Sequence, residues 1–139
     1  MIELDNETSL QVDENFINTI ALSLTDKEIE LIVTDDENMQ MINREQRGID
    51  KSTDVLSFPY EPMPMIPLGS IVISVDFVIK KSQELGHSNS DEFALLFIHG
   101  LLHLLGYDHE VDNGEMREKE KELIKQFNLP LSLIVRTTE

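Results

Sequence analysis

His99, His103 and His109 stand within eleven residues, in the run His99-Gly-Leu-Leu-His103-Leu-Leu-Gly106-Tyr-Asp-His109, and the chain has only one other histidine, His87. Their types and spacing fit a three-histidine metal site. On an α-helix, residues four apart lie roughly 40° apart around the axis and about 6 Å along it. His99 and His103 therefore project from one face and can share one ion. Six more helical residues would carry His109 roughly 240° around the axis from His103. The helix must end first, and Gly106 is the place, because glycine accepts a left-handed conformation without a Cβ clash. The chain can then swing back and deliver His109 as the third ligand.

Three neutral imidazoles suit one Zn²⁺ per chain, with the fourth tetrahedral position open, which is the mark of a catalytic rather than a structural site. The 139 residues include no cysteine, so a closed thiolate site is excluded. Imidazole also accepts copper, nickel and iron, so zinc is inferred from the ligand set. Asp108, Glu110 and Asp112 are three candidates for orienting a ligand histidine from behind. His87 lies in the polar stretch Gly86-His87-Ser88-Asn89 and reads as solvated loop. Ser57 sits in Leu-Ser-Phe rather than a Gly-x-Ser-x-Gly elbow, so no nucleophilic serine is expected.

Two families share the histidine spacing. Zinc peptidases of the metzincin type carry His-Glu-x-x-His-x-x-Gly-x-x-His. Here Gly100 replaces the glutamate, which is the general base of that chemistry. A zinc metallopeptidase-like hydrolase is therefore the alternative reading. The fuller match is to the YbeY family of metal-dependent endoribonucleases. The segment His99 to Glu110 resembles that family's signature along its length. So does the block from Asn43 through Arg47, Gly48, Asp50, Thr53 and Asp54 to Pro59. A third block, Leu68 to Ser74, is similar but carries Ser70 where the family has aspartate.

The resemblance implies a single-strand-specific endoribonuclease of ribosomal RNA processing (16S rRNA 3′ end maturation) and ribosome quality control. Its implied partners are the small ribosomal subunit and assembly factors. It implies metal ligation by His99, His103 and His109, and a functional arginine at position 47. A planar guanidinium can donate two parallel hydrogen bonds to phosphate oxygens where transition-state charge develops. Arg47 and His99 are thus the candidate catalytic residues, and Arg47 the candidate substrate-binding one. A non-catalytic ribosome-assembly factor containing zinc is a further alternative.

The composition pulls the other way. With 27 acidic and 11 basic residues the net charge is −16, and affinity for free nucleic acid rests mainly on Lys and Arg contacts to phosphate. Positive charge must be local, from the metal and from Arg44, Arg47 and Lys51, or docking on a partner must replace broad attraction. The N-terminus is acidic early and lacks a basic signal-like region. The most apolar stretch, Phe93 to Leu105, is too short for a membrane span of about 20 residues. Absent cysteine fits a reducing cytosol, so a cytoplasmic protein without membrane contact is expected.

The elements that must position these residues alternate. Residues 1–139 read as one domain. Strands are expected over Met1–Asp5, Glu28–Thr34, Thr53–Phe58 and Ser70–Val75. Helices are expected where Phe16, Ile17, Ile20, Ala21 and Leu24 form a stripe, from a cap at Asp35 or Asp36 to about Gln46, over Asp76–Leu85, from a cap at Ser90 through the histidines, and over Glu115–Phe127. The last has Met116, Glu120, Leu123, Ile124 and Phe127 along one side. The span Pro59–Pro67 holds four of five prolines and must be loop, either beside the cleft or as an ordinary connector. The pattern predicts a mixed α/β or α+β fold with a four-stranded sheet, about five helices and a buried histidine helix. The resemblance implies that the sheet is mixed.

Overall fold

The computed structural model describes residues 1–108 and 110–130. Alternating apolar residues make four strands: β1 (Ile2–Asn6), β2 (Ile29–Thr34), β3 (Val55–Pro59) and β4 (Gly69–Ser74). Five helices complete the described residues: α1 (Glu14–Leu22), α2 (Asp36–Arg47), α3 (Val75–Leu85), α4 (Asn89–Leu104) and α5 (Glu115–Gln126). The strand order is β1-β2-β4-β3. β1, β2 and β4 run parallel, and β3 pairs antiparallel with β4. Parallel neighbours need long crossovers, which α1 provides between β1 and β2. The antiparallel partner β3 needs only the proline-rich connector, closed where the Tyr60 N–H donates to the Leu68 carbonyl at 3.1 Å.

Each strand's two-residue period splits the core. Ile29, Leu31, Val33, Ile71 and Ile73 face one side and share one core with residues of α1, α4 and α5, where α5 packs on α4. Leu56 and Val72 face the other side, under Met39 of α2. α4 is buried along most of its length, including Phe97, Ile98, Leu101 and Leu102. It can lie against the sheet because residue 100 is glycine. A Cβ there would meet Ile71 Cγ2 at 2.9 Å, Ser57 Oγ at 3.1 Å and Val55 Cγ2 at 3.2 Å.

Three helix starts refine the expectations. Asp35 caps α2 by accepting from the Asn38 N–H at 2.8 Å. Ser88, not Ser90, caps α4, accepting from the Asp91 N–H at 3.1 Å. Val75 belongs to α3 rather than to the preceding strand, with Ser74 as its cap. Phe127 closes α5 as its C-cap.

His87 departs from its reading as solvated loop. Its side chain is 6% exposed, and its Nε2 lies 2.9 Å from Oε1 of Glu92, which is fully buried. Gly86 takes a left-handed φ of 75° at the end of α3, which turns the chain so that His87 tucks against the first turn of α4. A carboxylate buried there is tolerable only with polar partners. The proline-rich connector also resolves. Pro62, Pro64 and Pro67 line a separate hollow with Lys27 and Glu28, and only Pro59 borders the histidines' cleft.

Candidate metal centre and active site

The polar face of α4 is short and carries His99 and His103. Their Nε2 atoms lie 3.2 Å apart, with ring centroids 4.8 Å apart and planes at 75°. Two nitrogens bound at 2.0–2.1 Å to one tetrahedral ion would stand about 3.3–3.4 Å apart, so this pair already matches a shared metal. The other nitrogen of His99, Nδ1, lies 2.7 Å from Oε1 of Glu120 on α5. With Glu120 as the acceptor, Nδ1 of His99 donates and its Nε2 keeps the lone pair.

α4 stops where a third ligand requires it to stop. It ends at Leu104, and Gly106 has φ +100°, in the left-handed region. The Gly106 N–H donates to the His103 carbonyl and the Tyr107 N–H to the Leu102 carbonyl, both at 3.0 Å. His109 itself lies outside the described residues. Among the described residues no three His, Cys, Asp or Glu side chains gather into a complete ligand set. Asp112 accepts from the N–H groups of Gly114 (2.8 Å) and Met116 (3.0 Å), which fixes the start of α5. Asp108 accepts from the Glu110 N–H at 3.0 Å. The carboxylate behind His99 is Glu120, a residue the sequence reading placed on the α5 stripe without a role at the site. The sequence shows it interrupting the apolar stripe of α5, and the structure buries it there, 3% exposed.

His99 and His103 open into a cleft of about 650 Å³ whose other wall is the segment from Thr53 to Ser57, with Arg47 at its edge. Arg47 is the last residue of α2, released by Gly48 at φ 69°. Its neighbour Arg44 pairs with Asp50 at 3.7 Å instead. Arg47 is the only Lys or Arg among the described lining residues, and Asp54, Asp108 and Glu110 share the cleft. The expected local contribution of Arg44 and Lys51 is therefore absent from the cleft wall as described. Ser70 points to the α2 side of β4, opposite to Ile71, which meets Gly100. It does not line the cleft as described.

Comparison with known proteins decides the family. Residues 2–128 match the family of endoribonuclease YbeY. The chain belongs to the YbeY family. It is 66% identical to the endoribonuclease YbeY of Sulfurimonas denitrificans over 137 residues, covering 99% of both chains. It is 61% identical to that of Nautilia profundicola over the whole of both, and 61% identical to that of Campylobacter jejuni over 126 residues, 90% of this chain and 93% of the relative. The solution structure of TM1509 from Thermotoga maritima shares the fold, with a TM-score of 0.62, 25% identity and coverage of 91% and 89%. YbeY membership favours neither the peptidase nor the non-catalytic assembly factor.

Proposed function

We propose that this chain is a single-domain, zinc-dependent endoribonuclease that cuts single-stranded RNA in ribosomal RNA maturation. The observation that carries this reading is the pair of Nε2 atoms 3.2 Å apart in one cleft with Arg47. His99, His103 and His109 would hold one zinc ion. Bound there, zinc supplies Lewis acidity to a phosphoryl oxygen and lowers the pKa of water.

The chain's own residues do the rest. Arg47 is exposed at the cleft edge and free to grip the scissile phosphate with two parallel N–H donors. Ser57 donates to the Gly100 carbonyl at 3.0 Å, which holds the cleft's two walls together. The close packing at Gly100 leaves no room for the glutamate that peptidase chemistry would need.

With one arginine against three carboxylates among the described lining residues, free RNA binds weakly, and docking on the small ribosomal subunit and its assembly factors supplies the missing affinity. No helix among the described residues is long and apolar enough to cross a membrane, and the proposed location is the cytoplasm. The test of reaction class is to offer zinc-loaded protein both single-stranded RNA and casein. RNA cleavage without casein cleavage supports the proposal. Casein cleavage that disappears in His103→Ala overturns it. The RNA ends report the nucleophile: a 2′,3′-cyclic phosphate marks the 2′-hydroxyl, a linear end marks water.

A further inference from the structure

Glu120 is a carboxylate on an apolar helix face. Met116, Leu123 and Ile124, its neighbours on α5, are fully buried against the core, and Glu120 itself is 3% exposed. Burying an ionised carboxylate there is costly unless a strong partner meets it. That partner is His99 Nδ1 at 2.7 Å.

The pairing settles an ambiguity. The Nε2 atoms of His99 and His103, 3.2 Å apart, cannot both carry a proton. A carboxylate on Nδ1 forces the proton there, so His99 Nε2 keeps its lone pair and points it into the cleft. We infer that Glu120 is a positioning residue: it fixes the tautomer and ring orientation of His99, so that α5 prepares the metal centre before any metal arrives. The inference rests on the metal-centre reading for its purpose, but its geometry is a property of the metal-free chain. Carboxylate–histidine pairs of this kind tune metal affinity by about 10–100-fold.

The experiment compares wild type, Glu120→Gln, Glu120→Ala and the packing control Leu123→Ala. Three readouts are taken on each. One is the ¹⁵N–¹H imidazole spectrum of the metal-free protein in mildly alkaline buffer, which reads the His99 tautomer. The second is zinc affinity by competition with a chromophoric chelator, and the third is thermal melting. A glutamine amide offers both a donor and an acceptor, so it does not choose between tautomers. Glu120→Gln should fold and melt near wild type, show mixed His99 tautomers and bind zinc about 10–100-fold more weakly. Leu123→Ala should melt earlier yet keep the wild-type tautomer and affinity.

A single Nδ1–H tautomer and unchanged affinity in Glu120→Gln overturn the inference, and so does an equal tautomer change in Leu123→Ala. If Glu120→Gln fails to fold, Glu120→Ala decides: an altered tautomer supports the inference, and lost stability with the wild-type tautomer overturns it. Wild type that takes up no zinc would overturn the metal-centre reading instead, while the tautomer comparison still decides the role of Glu120.

Discussion

The Ser57 hydroxyl donates to the Gly100 carbonyl at 3.0 Å, joining the edge strand β3 to the middle of the histidine helix. The bond is possible because nothing stands between them at Gly100. The same closeness sets the width of the cleft, since His99 precedes Gly100 on α4 and Ser57 lines the opposite wall.

Gly100→Ala should therefore destabilise the protein, although alanine is the better helix former by about 1 kcal/mol. Its Cβ would press on Ile71 at 2.9 Å and Ser57 at 3.1 Å, and overpacking of this kind costs about 1–3 kcal/mol. Gly100→Glu, which restores the peptidase motif, should lose far more and gain no casein cleavage. Urea melts of both variants check this. A more stable Gly100→Ala would mean the contact is loose.

Arg47→Ala should fold normally and keep its metal, because the residue is exposed and stands apart from α4. Cleavage should fall about 10²–10³-fold, the cost of losing one transition-state donor, about 2.7–4 kcal/mol. Arg47→Lys should restore little, since a point charge does not reproduce the planar fork. Rates, zinc content and melting temperature on the three proteins together check it. Lost zinc or an early melt would make Arg47 structural.

Each of His99→Ala, His103→Ala and His109→Ala should lose most of the roughly one zinc per chain expected of wild type. Lowering the pH should release the metal from wild type as well, because a protonated imidazole cannot coordinate. Elemental analysis across the variants and across pH checks both. Full occupancy in all three variants would remove the site.

His87→Ala should lower stability by about 1–3 kcal/mol, the cost of taking a hydrogen-bond partner from a buried group, here Glu92 at 2.9 Å. Zinc content and RNA cleavage should not change. A melt indistinguishable from wild type would contradict the pairing.

The legible parts of this molecule are the local ones. Strand alternation and helical stripes placed all nine described elements to within a few residues, and Gly106 marked the end of the histidine helix. Arg47 and the histidine pair did come together in one cleft. What the sequence hid depends on packing across distance. Glu120 meets His99 across twenty-one positions of chain, from a different helix. His87 sits among polar neighbours, which gave no sign that Gly86 would fold it inward. The order β1-β2-β4-β3 follows from which strand edges find each other, and no residue pattern within one strand states that.

The most direct measurement is single-turnover cleavage of a single-stranded RNA by zinc-loaded wild type, with His103→Ala and Arg47→Ala prepared alongside from a strain lacking background nucleases. Cleavage by wild type, abolished in His103→Ala and reduced at least a hundredfold in zinc-loaded Arg47→Ala, is the expected result. Equal cleavage by all three proteins, or none by fully loaded wild type, would contradict a metal-centred nuclease in this cleft.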